Sequence, residues 1–79
     1  MKEIAISEYG WILVGTHDDS KTTANELALK DASVVRSWSN GRGIGGLSKR
    51  EYMNDYKLDP IGDVIIKQNK ILFTIPCEW

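Results

Sequence analysis

This sequence of 79 residues has little of what disulfide-stabilised, secreted and membrane proteins depend on. Its single cysteine, Cys77, excludes an intrachain disulfide, so we expect a reducing compartment, the cytoplasm. No apolar run approaches the roughly 18 residues that cross a bilayer, and the first residues lack the apolar core of an export signal. We therefore expect no membrane partner.

An excess of charge of either sign is also missing. Ten Lys and Arg residues against eleven Asp and Glu give a net charge of -1, so no global field favours nucleic acid, and we expect no nucleic-acid partner. The charge is uneven, however. Between Ser33 and Arg50 there are four basic residues and no acidic one. Any anion site is therefore expected to be local, within this window.

Histidine is as scarce as cysteine. His17 is the only one, and a metal site around it would need Asp18 and Asp19 from the same loop, without a second histidine or a thiolate. We interpret this stretch as a solvated polar loop. The sequence thus predicts no metal ion, no cofactor and no catalytic residue, and we expect a protein that is not an enzyme.

The length allows one domain, residues 1–79, because so short a chain cannot bury two cores. Apolar and alternating runs predict strands at residues 3–7 and 10–16, and then either two strands or one long bent strand over 26–38, with a kink near Asp31. Residues 63–67 and 70–75 are predicted to pair as a hairpin around a polar turn. Five to six short strands predict a mainly β fold, a small SH3-like or Sm-like barrel. A split α+β sheet is the alternative.

One short helix is predicted at about residues 49–56. Ser48 has the position of an N-cap with Glu51 as its capping-box partner, and Leu47 and Tyr52 have the spacing of a hydrophobic staple. Pro60 limits the other end, since the residue before a proline disfavours helical backbone.

A glycine-rich loop precedes this helix, and Gly41, Gly43 and Gly46 spell G-x-G-x-x-G. A dinucleotide fold is disfavoured, because the chain is too short for its sheet and Asp63 lies at the start of the following strand, whereas the ribose-binding acid follows that strand. A phosphate-binding P-loop is excluded because Leu47 stands where its lysine must be.

The loop still predicts a local anion site. Glycine amides and a helix N-terminus can bind phosphate, basic side chains flank them, and aromatic rings can stack on a base. The predicted ligand-binding residues are Arg36, Trp38, Arg42, Gly43, Gly45, Gly46, Ser48, Lys49 and Tyr56. The alternative is that the glycines only turn the chain and that the basic residues are solvated.

The three tryptophans provide a prediction about whether copies of the chain associate. Trp11 is predicted to lie in the core, whereas Trp38 and Trp79 are predicted to be exposed. A homo-oligomer with Trp79 in its interface is expected, and core packing of Trp79 within one chain is the alternative.

The segments "LKDASVVRSW", "GLS", "VII" and "ILFTIPC" resemble a family of small uncharacterised phage and prophage proteins, over residues 10–77. The most specific parts are Asp31-Ala32, Arg36, Trp38 and the turn at residues 46–48. By analogy with small phage proteins that sequester immune nucleotide signals, the resemblance implies an oligomeric sponge for a small anionic nucleotide-like ligand. The alternative is a protein-interaction module anchored by Trp38 and Trp79.

Overall fold

The computed structural model describes residues 1–39, 43–53 and 55–79. Within them the chain forms five strands: β1 (Lys2–Ser7), β2 (Ile12–His17), β3 (Glu26–Trp38), β4 (Tyr56–Lys67) and β5 (Ile71–Pro76). All paired strands are antiparallel, in one sheet of order β4-β3-β2-β1-β5. The predicted mainly β fold is confirmed. No helix of the described residues has the length and apolar character needed to cross a membrane.

Apolar side chains are buried on both faces of this sheet. Because successive strand residues point to opposite faces, Ile4 and Ile6 pack on one side of β1 and Ala5 on the other. We call the first group the connection-side cluster, because it includes two residues of the β3–β4 connection: Ile4, Ile6, Ile12, Val14, Val35, Leu47 and Met53. The strand-only cluster on the opposite side comprises Ala5, Leu13, Leu27, Leu29, Ala32 and Ile66.

The sheet must curl strongly, because its two edge strands are joined by only three residues. A short 3₁₀ turn, Gln68–Lys70, links β4 directly to β5. The edges of a flat five-stranded sheet lie roughly 19 Å apart, whereas such a link spans roughly 14 Å at most. Val64 of β4 and Ile71 of β5 both pack against the strand-only cluster. Both edge strands therefore contribute side chains to this cluster.

The kink predicted near Asp31 is present. Asp31 has a φ of 48°, in the left-handed region, and β3 gains one residue there relative to both neighbouring strands. The Asp31 amide donates a hydrogen bond to Oδ1 of Asp63, 3.1 Å away. Gly15 of β2 faces the bend, and a Cβ at Gly15 would lie only 3.0 Å from that of Leu29. A side chain at position 15 would therefore push the two strands apart, and glycine allows their close approach.

A second bulge in β3 places Arg36 outside the regular ladder. Between Val35 and Ser37 the strand advances two residues while β4 advances one, so Arg36 is the extra residue. Trp38 consequently packs with Val35 in the connection-side cluster. Val34 and Trp38 pack on opposite faces of the sheet, although they are four residues apart, because strict alternation does not continue through a bulge.

The predicted helix at residues 49–56 is wrong. The described part of this segment forms two 3₁₀ turns, Ile44–Ser48 and Arg50–Tyr52, and β4 already begins at Tyr56. Lys49, between the turns, has extended backbone with φ -99° and ψ 123°. The capping box does not form, since neither turn has a side-chain cap.

Tertiary contacts explain why the local helix signal fails. A helix of two turns is marginal by itself, so packing decides the path of the chain. Leu47 and Met53 are both buried in the connection-side cluster. The carbonyl of Ser48 accepts a hydrogen bond of 3.0 Å from the amide of Glu78, which follows β5.

The predicted hairpin of residues 63–67 and 70–75 is also wrong in its pairing. The turn lies where expected, but β4 pairs with β3, and β5 pairs with β1. The curl of the sheet explains the difference, because it brings the far edge of β1 within reach of the short turn.

Candidate functional site

Lys49, one of the predicted phosphate-binding residues, is engaged by an acidic side chain. Its Nζ lies 2.8 Å from Oε2 of Glu78, and Arg50 donates a hydrogen bond of 2.7 Å to the Glu78 carbonyl. The contact between the two side chains raises the pKa of Lys49 and lowers the pKa of Glu78. The positive charge of Lys49 is therefore compensated within the chain. Arg42, the next predicted residue, lies outside the described residues.

We predict that this ion pair contributes to the acid sensitivity of the fold. The pKa of Glu78 is lower in the folded state than its ordinary value of 4.5. The ion pair therefore stabilises the fold fully when the pH is above 4.5, and this stabilisation is lost as the pH falls through the folded-state pKa. Glu78→Gln should therefore remove part of the fall in melting temperature between about pH 6 and pH 3.

Thermal unfolding followed by circular dichroism measures this difference. Lys49→Gln, which removes the other half of the pair, should show the same flattening. If the melting temperatures of both variants decline in parallel with that of the wild type, the ion pair has no role in acid stability.

The predicted stacking residues are packed against other side chains. Trp38 contacts the connection-side cluster, and the ring of Tyr56 lies 5.1 Å from that of Trp79, tilted by 39°. Trp79 donates its Nε1 proton to the Leu47 carbonyl, 2.5 Å away, and Lys2 lies 5.6 Å above its ring. Trp79 thus packs within its own chain, as in the alternative that the sequence left open.

The described glycines of the loop do not form one cradle. Gly43 has a φ of 70°, and both Gly43 and Gly45 are exposed, with open space where a Cβ would lie. Gly46 is buried, and its amide donates a hydrogen bond of 3.2 Å to the carbonyl of Gly43. Ser48 is also buried, in a 3₁₀ turn that is too short to provide a helix N-terminus.

Arg36 lies in a different place, at a groove that contains no other predicted site residue among those described. The groove has a volume of about 410 Å³. It is lined by Tyr9, Gly10, Trp11, Ile12, Val34, Val35, Arg36 and Asp59. The tight turn between β1 and β2 therefore meets the bulged part of β3 and the facing residue of β4 here.

Two aromatic side chains of this groove are exposed to water. Tyr9 is 96% exposed and Trp11 is 58% exposed. The expectation that Trp11 lies in the core is wrong, because Trp11 belongs to the turn before β2, where neighbouring strands do not cover it. Sequence reasoning missed both residues as site candidates. A Tyr-Gly pair between two apolar runs was the available signal of a tight turn.

The backbone holds the aromatic pair in a defined position. Ser7 donates two hydrogen bonds to the Trp11 carbonyl, from its amide at 2.8 Å and from its hydroxyl at 3.2 Å. Tyr9 has φ 64° and ψ 18°, and Gly10 has φ 78°. A tyrosine in the left-handed region is strained, and strain of this kind is concentrated at functional sites.

The polar part of the groove is an open ion pair. Nη1 of Arg36 lies 3.8 Å from Oδ1 of Asp59, beyond hydrogen-bond distance, and their side chains are 68% and 51% exposed. The bulge at Arg36 directs its side chain to this position, a common role of bulges near binding sites. Both charges are accessible to a partner.

Protein-family models, curated proteins and solved structures were each compared with this chain, and none of them matches it. What the groove binds therefore has to be inferred from its residues. Tryptophan, tyrosine and arginine are the residue types most enriched where single side chains dominate the affinity of protein complexes. All three occur in this groove.

Proposed function

We propose that this protein is a non-enzymatic interaction module that binds an extended segment of a partner protein in the groove beside the β1–β2 turn. The exposure of Tyr9 and Trp11 carries the proposal. Aromatic side chains bury 150–250 Å² each when covered, which contributes on the order of a few kcal/mol per ring. Because the turn already holds the backbone of both residues in one conformation, binding costs little further backbone entropy.

The ion pair supports a specific partner rather than nonspecific adhesion. Arg36 and Asp59 are far enough apart for each to turn toward a charge on the incoming segment. The groove is open and accommodates a small number of side chains, so an apolar side chain placed between the rings and a flanking charged residue fit its chemistry.

The scaffold in this proposal is an SH3-like barrel in the cytoplasm. The antiparallel order β4-β3-β2-β1-β5 and the 3₁₀ turn between β4 and β5 support it, as does the curl that this short turn imposes. The single cysteine supports the cytoplasmic location.

A small anionic nucleotide-like ligand, as expected of a phage counter-defence sponge, is the second candidate. Arg36 favours it, because its guanidinium borders the same groove as two aromatic rings. The nearby Asp59 and the neutralised Lys49 favour the protein partner instead, since both reduce the local positive charge.

Selection of peptides from a random library on the wild-type protein tests the two candidates. We expect selected peptides to bind Trp11→Ala at least about tenfold more weakly in calorimetry, with an unchanged melting temperature. The matched control is Leu72→Ala, which truncates a similarly exposed side chain on β5, outside the groove.

Two outcomes would contradict the proposal. Peptides that bind Trp11→Ala as tightly as the wild type would place the binding surface elsewhere. Binding of nucleotides instead of peptides, lost in Arg36→Ala, would favour the second candidate.

A further inference from the structure

In the part of the chain that the structure describes, β4 and β5 are the outermost strands of the sheet, and each has features that disfavour pairing with another strand. On β5, Leu72 is an extra residue opposite β1 and Pro76 ends the strand. On β4, Pro60 lacks an amide proton and Ile61 forms a bulge opposite β3. Bulges and prolines are devices that protect edges. Neither device falls within residues 64–67 of β4, which pair with β3 without interruption, and Asp63 precedes them opposite the bulge at Asp31.

This edge segment, "DVIIK", has a simple pattern of side chains. Val64 and Ile66 face the strand-only cluster. Asp63, Ile65 and Lys67 alternate with them on the opposite face, where Ile65 is 57% exposed. The pairing of residues 64–67 with β3 is uninterrupted, so the outer side of the segment offers backbone groups in regular spacing.

We propose that the occupant of this edge is a second copy of the chain, paired antiparallel across a twofold axis at Ile65. In this register Asp63 of each copy lies opposite Lys67 of the other copy, so the twofold axis produces two such pairs. The two Ile65 side chains face each other on the axis. The two sheets then form one continuous sheet. The inference is independent of the proposed function, because it uses residues outside the groove.

The charges of this segment complement each other when two copies pair antiparallel, and this favours a second copy as the occupant. An antiparallel register centred on Ile65 pairs opposite charges at both ends, whereas a parallel, in-register arrangement would place Asp63 against Asp63. Lys67 also lies 3.1 Å from Glu26 on β3, and Asp63 accepts a hydrogen bond from the Asp31 amide, so the contacts between the copies share groups that each chain already uses. A twofold interface also closes on itself and does not propagate into a fibre.

Sedimentation equilibrium over a range of concentrations tests the proposal. The short interface predicts a dimer that dissociates on dilution. Ile65→Lys places two like charges on the axis and should raise the dimer dissociation constant at least about tenfold. Leu72→Lys changes an exposed apolar residue on the other edge and should leave the constant unchanged.

Crosslinking gives a second readout that does not depend on weakening the dimer. In a Cys77→Ala background, Ile65→Cys should form a disulfide-linked dimer on oxidation, because directly opposed residues lie within disulfide distance. Leu72→Cys should form no disulfide-linked dimer under the same conditions.

Three results would overturn the proposal. They are a wild-type protein that stays monomeric at every soluble concentration, an Ile65→Lys dimer as stable as the wild type, and crosslinking of Leu72→Cys without crosslinking of Ile65→Cys.

Discussion

Leu47→Ala is expected to lower the free energy of unfolding by about 2–5 kcal/mol, because it opens a cavity in the centre of the core. The Leu47 side chain has no exposed surface and packs in the connection-side cluster. Leu47 also belongs to the segment that Trp79 covers, through the hydrogen bond to the Leu47 carbonyl. Domains have only about 5–15 kcal/mol of stability in total, so this loss is a large share.

Urea unfolding followed by tryptophan fluorescence measures the change. Leu72→Ala removes the same atoms from a side chain that is 64% exposed, and it should alter the free energy of unfolding by no more than about 0.5 kcal/mol. Equal midpoints for the two variants would show that the β3–β4 connection contributes nothing to the core, in conflict with its buried position.

Most strands could be predicted because their signal is local, but the first half of β4, residues 56–62, was not predicted. Apolar runs and alternation located β1, β2 and the bent β3, and polar residues located the turn before β5. The partner of β5 could not be predicted in the same way. Pairing with β1 depends on how far the sheet curls, which is a property of all five strands together.

The failed helix has a similar cause. Ser48 and Glu51 are a correct capping-box sequence, and their spacing predicts a helix from local hydrogen bonds alone. In the folded chain the Ser48 carbonyl bonds to Glu78, thirty positions along the sequence. A contact between such distant residues has no trace in the local pattern.

Much of the candidate site was likewise hidden from sequence. Arg36 was predicted as a binding residue and does line the groove. The compensation of Lys49 by Glu78 and the contact of Trp79 with Tyr56 depend on where the end of β5 lies. Trp11 was expected in the core because it adjoins a buried strand. It is exposed because it belongs to the turn, which lies beyond the end of the sheet.

Tyr9→Asn is expected to raise the free energy of unfolding and to weaken peptide binding. Tyr9 has a φ of 64°, and a left-handed conformation costs most residues roughly 1–2 kcal/mol. Asparagine tolerates this region, and Asn-Gly is the preferred pair for a tight hairpin turn. Because the tyrosine side chain is 96% exposed, little buried surface is lost. We therefore expect a gain of about 0.5–1 kcal/mol in unfolding free energy.

The same substitution removes a ring from the groove, so peptides selected on the wild type should bind at least about tenfold more weakly. Tyr9→Ala separates the two effects, because alanine removes the ring but keeps the strained backbone. It should lose binding without the gain in stability. Calorimetry and urea unfolding of both variants measure the two quantities.

Strain that persists at an exposed residue, where a common substitution would relieve it, is best explained by a role for that side chain. A stabilised Tyr9→Asn variant that binds the peptides unchanged would remove Tyr9 from the binding surface. Loss of stability in Tyr9→Asn would instead show that the ring stabilises the folded turn, and the strain would then have a structural cause.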